Sequence, residues 1–255
     1  MLVAIDQHPL ANPAAWRALT DPAHDPAHDP AHGPAHGPAH GPASNHGRGL
    51  TVIVDVDRGP GTGRDPSYTA ATTRLAEAGV HLLGYVDLSY ATRPAAHIVA
   101  DVGRWAGYPV AGVFLDHAPA SPFAIGPVAV AVATARRFGL ADAVLNPGVP
   151  PDALYRELDA ALCVFDGSWA QYRAWSGHGH RPSDGHLVRD VPEAELPFAR
   201  RLLTARGAGF GLITGQACGR RGRGWQRGHQ NDERFMNASL RTVAPQRRHG
   251  SPVRP

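Results

Sequence analysis

The stretch VAGVFLDHAPAS (residues 110–121) sets the fold. Its apolar positions run into Asp116 and His117 as a buried strand runs out of a sheet into a polar site, and Ser121 with Pro122 then opens a helix. That helix reads on to a stop at Gly139, so the stretch belongs to one strand–helix unit. Whether the unit recurs decides the architecture. What an aspartate and a histidine do at its turning point decides the chemistry.

The unit does recur. Apolar runs LVAID (2–6), LTVIVDV (50–56), VHLLGYVDL (80–88), DAVLNPG (142–148), ALCVFD (161–166), HLVRDV (186–191) and FGLIT (210–214) join VAGVFLD (110–116) as strand candidates. Their length and β-branched content fit buried parallel strands. Asn12 with Pro13 and Asp65 with Pro66 open helices, Gly79 closes one, and the helix from Pro192 to Arg206 ends before Gly207. Eight strands alternating with seven helices predict an α/β fold, a (β/α)8 TIM-type barrel over residues 1–214. The rival is a doubly wound open sheet. The count of eight and the lack of a G-x-G-x-x-G turn after the first strand favour the barrel.

Two segments stand outside this alternation. DPAHDPAHDPAHGPAHGPAHGPAS (21–44) repeats every four residues, and its prolines forbid an α-helix that could pair histidines at i and i+4. It reads as a low-complexity insert, residues 21–47, in a surface loop; the other reading is loose divalent-metal binding by His24, His28, His32, His36 and His40. The C-terminal segment 215–255 holds nine Arg against Asp232 and Glu233, a charge of +7, whereas 1–214 holds sixteen Arg against twenty acids, −4. This Arg- and Gly-rich tail is expected to be disordered. Nucleic acid is an expected partner only through the tail, with its RGRG run and Trp225.

Composition removes several chemistries. All 25 residues of the Lys+Arg count are arginine, which excludes a Schiff-base lysine and a Walker-type phosphate loop. Cys163 and Cys218 are too few for a disulfide framework, Cys163 lies inside an apolar run, and no G-x-S-x-G elbow is present. The N-terminal MLVAIDQHPL lacks a basic segment followed by a long apolar one, and no apolar run reaches membrane-spanning length. A soluble protein with no membrane partner is expected, cytoplasmic as the chain stands and secreted if its start lies further upstream.

Nearly every strand candidate ends on a polar residue: Asp6, Asp55 with Asp57, Asp87, Asp116, Asn146, Asp166, Asp190 and Thr214. A single aspartate after a strand reads as a helix cap or turn residue; repeated round one face of a barrel, the pattern describes an acidic pocket. Asp116 and Asp166 close the fourth and sixth strands and can face each other across the mouth. Glycoside hydrolysis needs such a pair, one carboxyl to protonate the leaving oxygen and one to act as nucleophile or base. Metal-assisted hydrolysis through Asp6, His8, Asp116 and His117 is the alternative, without a recognisable ligand spacing.

Five stretches, DRGPGTG (57–63), LLGYVDLSYATRP (82–94), VAGVFLDHAP (110–119), VLNPGVPPDALY (144–155) and CVFDGSWAQY (163–172), agree in order and spacing with spherulation-specific family 4, the spherulin-4-like proteins. The resemblance implies a TIM-type barrel related to glycoside hydrolases of α-1,4-linked galactosamine or N-acetylgalactosamine polymers. Neither a cofactor nor a metal is expected. In those enzymes the fourth strand ends in Asp-Glu and a later strand in Glu. Asp116 then matches the nucleophile, His117 replaces the adjoining Glu, and Asp166 replaces the acid/base Glu with one methylene fewer.

The partner so implied is an amino-sugar polysaccharide or oligosaccharide, and the candidate binding residues are Asp55, Tyr85, Asp87, Tyr90, Arg93, His117, Asn146 and Trp169. Several have two readings. Tyr85 and Tyr90 stack on sugar rings, or Tyr85 packs in the core. Arg93 binds a polar substrate group or pairs with an acid such as Asp87. Trp169, with Tyr172 beside it, rims a saccharide groove or packs beneath a helix. His117 points away if the strand continues through it; facing inward and protonated, it favours an ionised Asp116. A barrel that binds carbohydrate without cutting it is the alternative to a hydrolase, and a nucleic-acid-associated protein is a third class.

Overall fold

A computed structural model describes residues 2–20 and 50–215. The histidine repeat and the basic tail, with Cys218 and Trp225, lie outside the described residues. Eight strands follow one another round a sheet in chain order, every hydrogen-bonded pair parallel. They are β1 (Leu2–Ile5), β2 (Thr51–Val54), β3 (His81–Asp87), β4 (Gly112–Asp116), β5 (Asp142–Asn146), β6 (Ala161–Ser168), β7 (Gly185–Val191) and β8 (Phe210–Gly215). β8 returns beside β1, so the sheet nearly closes into a TIM-like barrel.

Each strand falls on an apolar run read from the sequence. The helices are α1 (Pro13–Ala18), α2 (Pro66–Glu77), α3 (Ala95–Trp105), α4 (Ile125–Arg137), α5 (Trp169–Ala174) and α6 (Leu196–Ala205). Two starts are built as the sequence implied, whereas the helix read from Pro192 opens with a 3-10 turn, Glu193–Glu195, before α6. Asp65 accepts hydrogen bonds from the amides of Ser67 and Tyr68, and Asn12 from that of Ala15. Ser121 and Pro122 open a 3-10 turn, Pro122–Ala124, that leads into α4. The expectation of seven α-helices needs one correction: β5 and β6 are joined by a 3-10 helix, Ala153–Leu158. That helix starts just after Pro150 and Pro151, with the Asp152 side chain accepting from the Leu154 amide, and ends at Asp159 in a left-handed conformation.

Period-two alternation divides the strands between two cores. One buried cluster, including Ile53, Leu83, Phe114, Val144 and Leu187, draws on strands alone and fills the barrel interior. Residues of opposite parity, such as Val54, Val113 and Leu145, pack outward with helical side chains from Leu75, Val102 and Val132. On that outer side Trp105 lies flat over Gly84, its indole N–H donating to the Tyr85 carbonyl at 2.8 Å. A Cβ on Gly84 would come 2.2 Å from the ring, so Gly84→Ala is expected to lower stability by about 1–3 kcal/mol in urea unfolding.

Tyr172, Trp175 and His186 form a second outer cluster under Arg206, whose guanidinium lies 4.5 Å from the Tyr172 ring centre. His186 is fully buried, with Nδ1 2.8 Å from the Tyr172 hydroxyl. Burial first, then the nearby His180 and Arg206 charges, push this imidazole down to about 4. The unfolded chain therefore takes up a proton that the folded one refuses. This contribution to stability is complete above pH 6.5 and is lost as pH falls from 6.5 towards 4. Wild type should lose on the order of 3 kcal/mol more than His186→Gln between about pH 7 and pH 4, by denaturant titration.

Candidate active site

Alternation carries the strand ends into the mouth. Ala4, Ile53, Tyr85, Phe114 and Val144 belong to the interior cluster, so Asp6, Asp55, Asp87, Asp116 and Asn146, two residues later on each chain segment, stand above them. β6 needs a device. Cys163 faces inward, which by simple alternation would turn Asp166 outward; a register shift between Cys163 and Phe165 reverses the phase. Phe165 then packs in the outer layer and Asp166 faces the mouth.

Asp116 is the centre of the arrangement, only 1% exposed. Its Oδ2 accepts the Tyr85 hydroxyl at 2.9 Å, and its Oδ1 accepts Asn146 Nδ2 at 2.8 Å. The same Nδ2 donates to Asp166 Oδ2 at 2.9 Å. An amide nitrogen is the only end of Asn146 that two carboxylates can share, so its orientation is dictated. The two accepting oxygens are therefore at most about 5.7 Å apart. Asn146 Oδ1 is buried without a hydrogen-bond donor among the described residues.

Burial pushes the Asp116 carboxyl above its usual range, and the His117 charge and the bonds from Asn146 and Tyr85 offset this only in part. Asp55 is pushed up to about 6, by burial and by Asp6, Asp57 and Asp116, against the Gly59 amide that donates to it at 2.7 Å. Asp87 is held below the usual range: burial raises it, but hydrogen bonds from the His117 ring and the Ser89 amide outweigh burial.

His117 faces the mouth. β4 ends at Asp116, and His117 takes φ 49°, so its side chain turns back between Asp87 and Asp116. Tyr90 is 60% exposed and its ring lies 5.1 Å from the His117 ring, on a turn where Ser89, Tyr90 and Ala91 all have positive φ. Such left-handed runs of non-glycine residues are strained and concentrate at functional sites.

Other candidates fall elsewhere. Tyr85 is a core side chain of the barrel interior; it meets the site only through its hydroxyl and offers no ring face for stacking. Arg93 donates to the Asp87 carbonyl and pairs with Asp101, leaving the Asp87 carboxylate to His117. Arg93, Asp57, Ser89, Asp101 and Arg104 help to line a cavity of about 320 Å³ that reaches Asp87.

Trp169 is not on the rim. It is buried with Tyr172 in the outer layer, with its indole N–H on Glu195 at 2.7 Å and its ring against Phe198. Strand β6 runs two residues past Asp166, so Trp169 begins α5 and falls under α6. His8 pairs with Asp65 at 3.5 Å, and among the described residues no three His, Cys, Asp or Glu side chains converge as a metal site.

Sequence reasoning missed Arg189. It took Asp190 as the polar end of β7, but Asp190 is exposed with φ 60°, whereas Arg189, two residues beyond interior Leu187, turns inward. Its Nε lies 3.0 Å from Asp166 Oδ1, an ion pair without the alignment of a hydrogen bond. Strict alternation counted from Leu187 was the available signal.

The fold and site define a TIM-type barrel whose mouth holds two carboxylates bridged by one amide. The chain belongs to spherulation-specific family 4, whose model matches residues 40–216. It is similar to spherulin-4 of Physarum polycephalum, 32% identical over 134 residues, 49% of this chain and 40% of that protein. The chain thus spans about two fifths of the length of that relative. Its fold is similar to the crystal structure of Aspergillus clavatus Sph3 in complex with GalNAc, with a TM-score of 0.67 over 94% of this chain and 97% of that one, at 22% identity. Among the described residues no helix is long and apolar enough to cross a membrane.

Because burial raises Asp116, the fold is weakened as pH rises from the carboxyl's unfolded value through its folded one. Asp116→Asn should therefore raise the thermal midpoint at pH 7, and the gain should fade in acid, as read by calorimetry across pH.

Proposed function

We propose that this chain is a glycoside hydrolase acting on a galactosamine or N-acetylgalactosamine polymer, with Asp116 as nucleophile and Asp166 as general acid and base. The observation that carries the reading is the Asn146 amide shared by both carboxylates. It brings one oxygen of each carboxyl within about 5.7 Å of the other, close enough for both groups to reach one glycosidic bond. Asp166 gives its proton to the glycosidic oxygen as the C1–O bond breaks and Asp116 Oδ bonds to C1. Water then attacks C1, gives its proton to Asp166 and releases Asp116, so one water is consumed and the anomeric configuration is retained.

Other features support a sugar ligand. The buried Asn146 Oδ1 is left to accept from a hydroxyl or amide N–H, and the exposed Tyr90 ring offers a stacking face at the mouth. The cavity beside Asp87 has room for a neighbouring sugar unit. Family membership and a relative of like fold solved with GalNAc favour an amino sugar.

The second reading is a barrel that binds carbohydrate without cutting it. It is favoured by the Asp166–Arg189 pair, since an ion pair needs the carboxylate whereas a general acid must carry a proton. The test is release of reducing ends from partly deacetylated α-1,4-galactosamine polymer, with the product anomer read by proton NMR. Wild type should cut with retention, and Asp116→Asn and Asp166→Asn should each lose about a hundredfold or more. Polymer binding without any release moves the assignment to the binding barrel.

A further inference from the structure

The site reading leaves His117 without a task, although three features build it into the mouth. The first is its backbone. A continuing strand would send His117 to the face opposite Asp116, but the left-handed φ of 49° brings both side chains to the same opening. The Leu88 amide donates to the Asp116 carbonyl at 2.9 Å and the Tyr90 amide to the His117 carbonyl at 2.7 Å, which ties this turn to the strained loop after β3.

The second feature is the ring's orientation. Nδ1 lies 2.9 Å from Asp87 Oδ1, and the Ser89 amide donates to the same oxygen at 2.7 Å. A carboxylate only accepts, so Nδ1 carries the proton and Nε2 is left to face Asp116. The third is the remaining distance. Nε2 is 3.8 Å from Asp116 Oδ2, too long for a hydrogen bond and short enough for strong charge interaction in a poorly hydrated site.

We propose that His117, held by Asp87, is a positioning residue: a resident cation that keeps the buried Asp116 carboxylate ionised in acidic solution. The inference rests on Asp116 as the reacting carboxylate. The neighbours make a cation useful there. Asp87 from β3 and Asp166 from β6 place negative charge at the same mouth, and Asp55, just after β2, adds to it once ionised. Tyr85 and Asn146 offer only neutral hydrogen bonds, and Arg189 of β7 is spent on Asp166. The exposed Tyr90 ring covers one side of the imidazole. The hydrogen bond to Asp87 raises the imidazole's proton affinity above the ordinary value, with Asp116 and Asp166 adding to it. The cation thus persists through the range in which a buried carboxyl would otherwise take up a proton.

The experiment follows the Asp116 carboxyl by carbon NMR in the full chain with labelled aspartate, assigned with Asp116→Asn. The Asp116 midpoint should rise by roughly one pH unit or more in His117→Gln and stay near its wild-type value in His117→Arg, which keeps a cation. An unchanged midpoint in His117→Gln overturns the proposal, and His117→Asn decides it should that variant fail to fold. This readout needs no turnover, so a wild type inactive on the polymer sinks the hydrolase reading and leaves the charge role to be judged by NMR. With turnover, the acid limb of kcat/KM should shift with the midpoint. Loss of the alkaline limb alone would make His117 a proton donor and overturn the inference.

Discussion

Everything at the mouth depends on the division of side chains that a closed parallel sheet imposes. Each strand sends alternate residues to a shared interior, and the interior is filled by apolar side chains such as Ile53, Phe114 and Leu187 up to the level of the open end. The next inward position on each strand lies at the mouth, above the apolar filling. Asp6, Asp55, Asp87, Asp116 and Asn146 occupy it because they lie two residues beyond the last interior residue. Polar strand ends thus become one acidic surface without any long-range contact designed for each of them.

That concentration of carboxylates is costly, and the structure moderates it with few groups. One amide, Asn146 Nδ2, serves two carboxylates, and one hydroxyl, Tyr85, serves the most deeply buried of them. Arg189 and His117 supply the cations that the lysine-free chain has available at this level. Burial still leaves Asp116 and Asp55 above their ordinary values. Stability is given up where charged groups are held away from water.

Much of the architecture is legible in one dimension. The eight apolar runs are short, β-branched and spaced by helix starts such as Asp65–Pro66, and those local signals survive into the fold because they do not depend on partners. The β5–β6 link is a 3-10 helix where the alternation predicts an α-helix, and the local sequence of apolar and polar residues does not distinguish the two. In the site, Asp116 and Asn146 are legible as strand ends. Trp169 is not: an aromatic residue next to a site residue carries no sign of whether it turns to the groove or to the helical layer, and α6 claims it.

The succession of strands, the caps and stops of most helices, and the row of acidic residues at the strand ends are local features, because each is written in a few neighbouring side chains. Which way those ends point is settled in the folded barrel. A register shift in β6 turns Asp166 inward, and a left-handed φ at His117 turns the imidazole back over Asp116. A change of one residue in phase reverses a side chain's direction in a strand. That phase is set by pairing with neighbouring strands and by the closure of the barrel, neither of which a linear pattern contains.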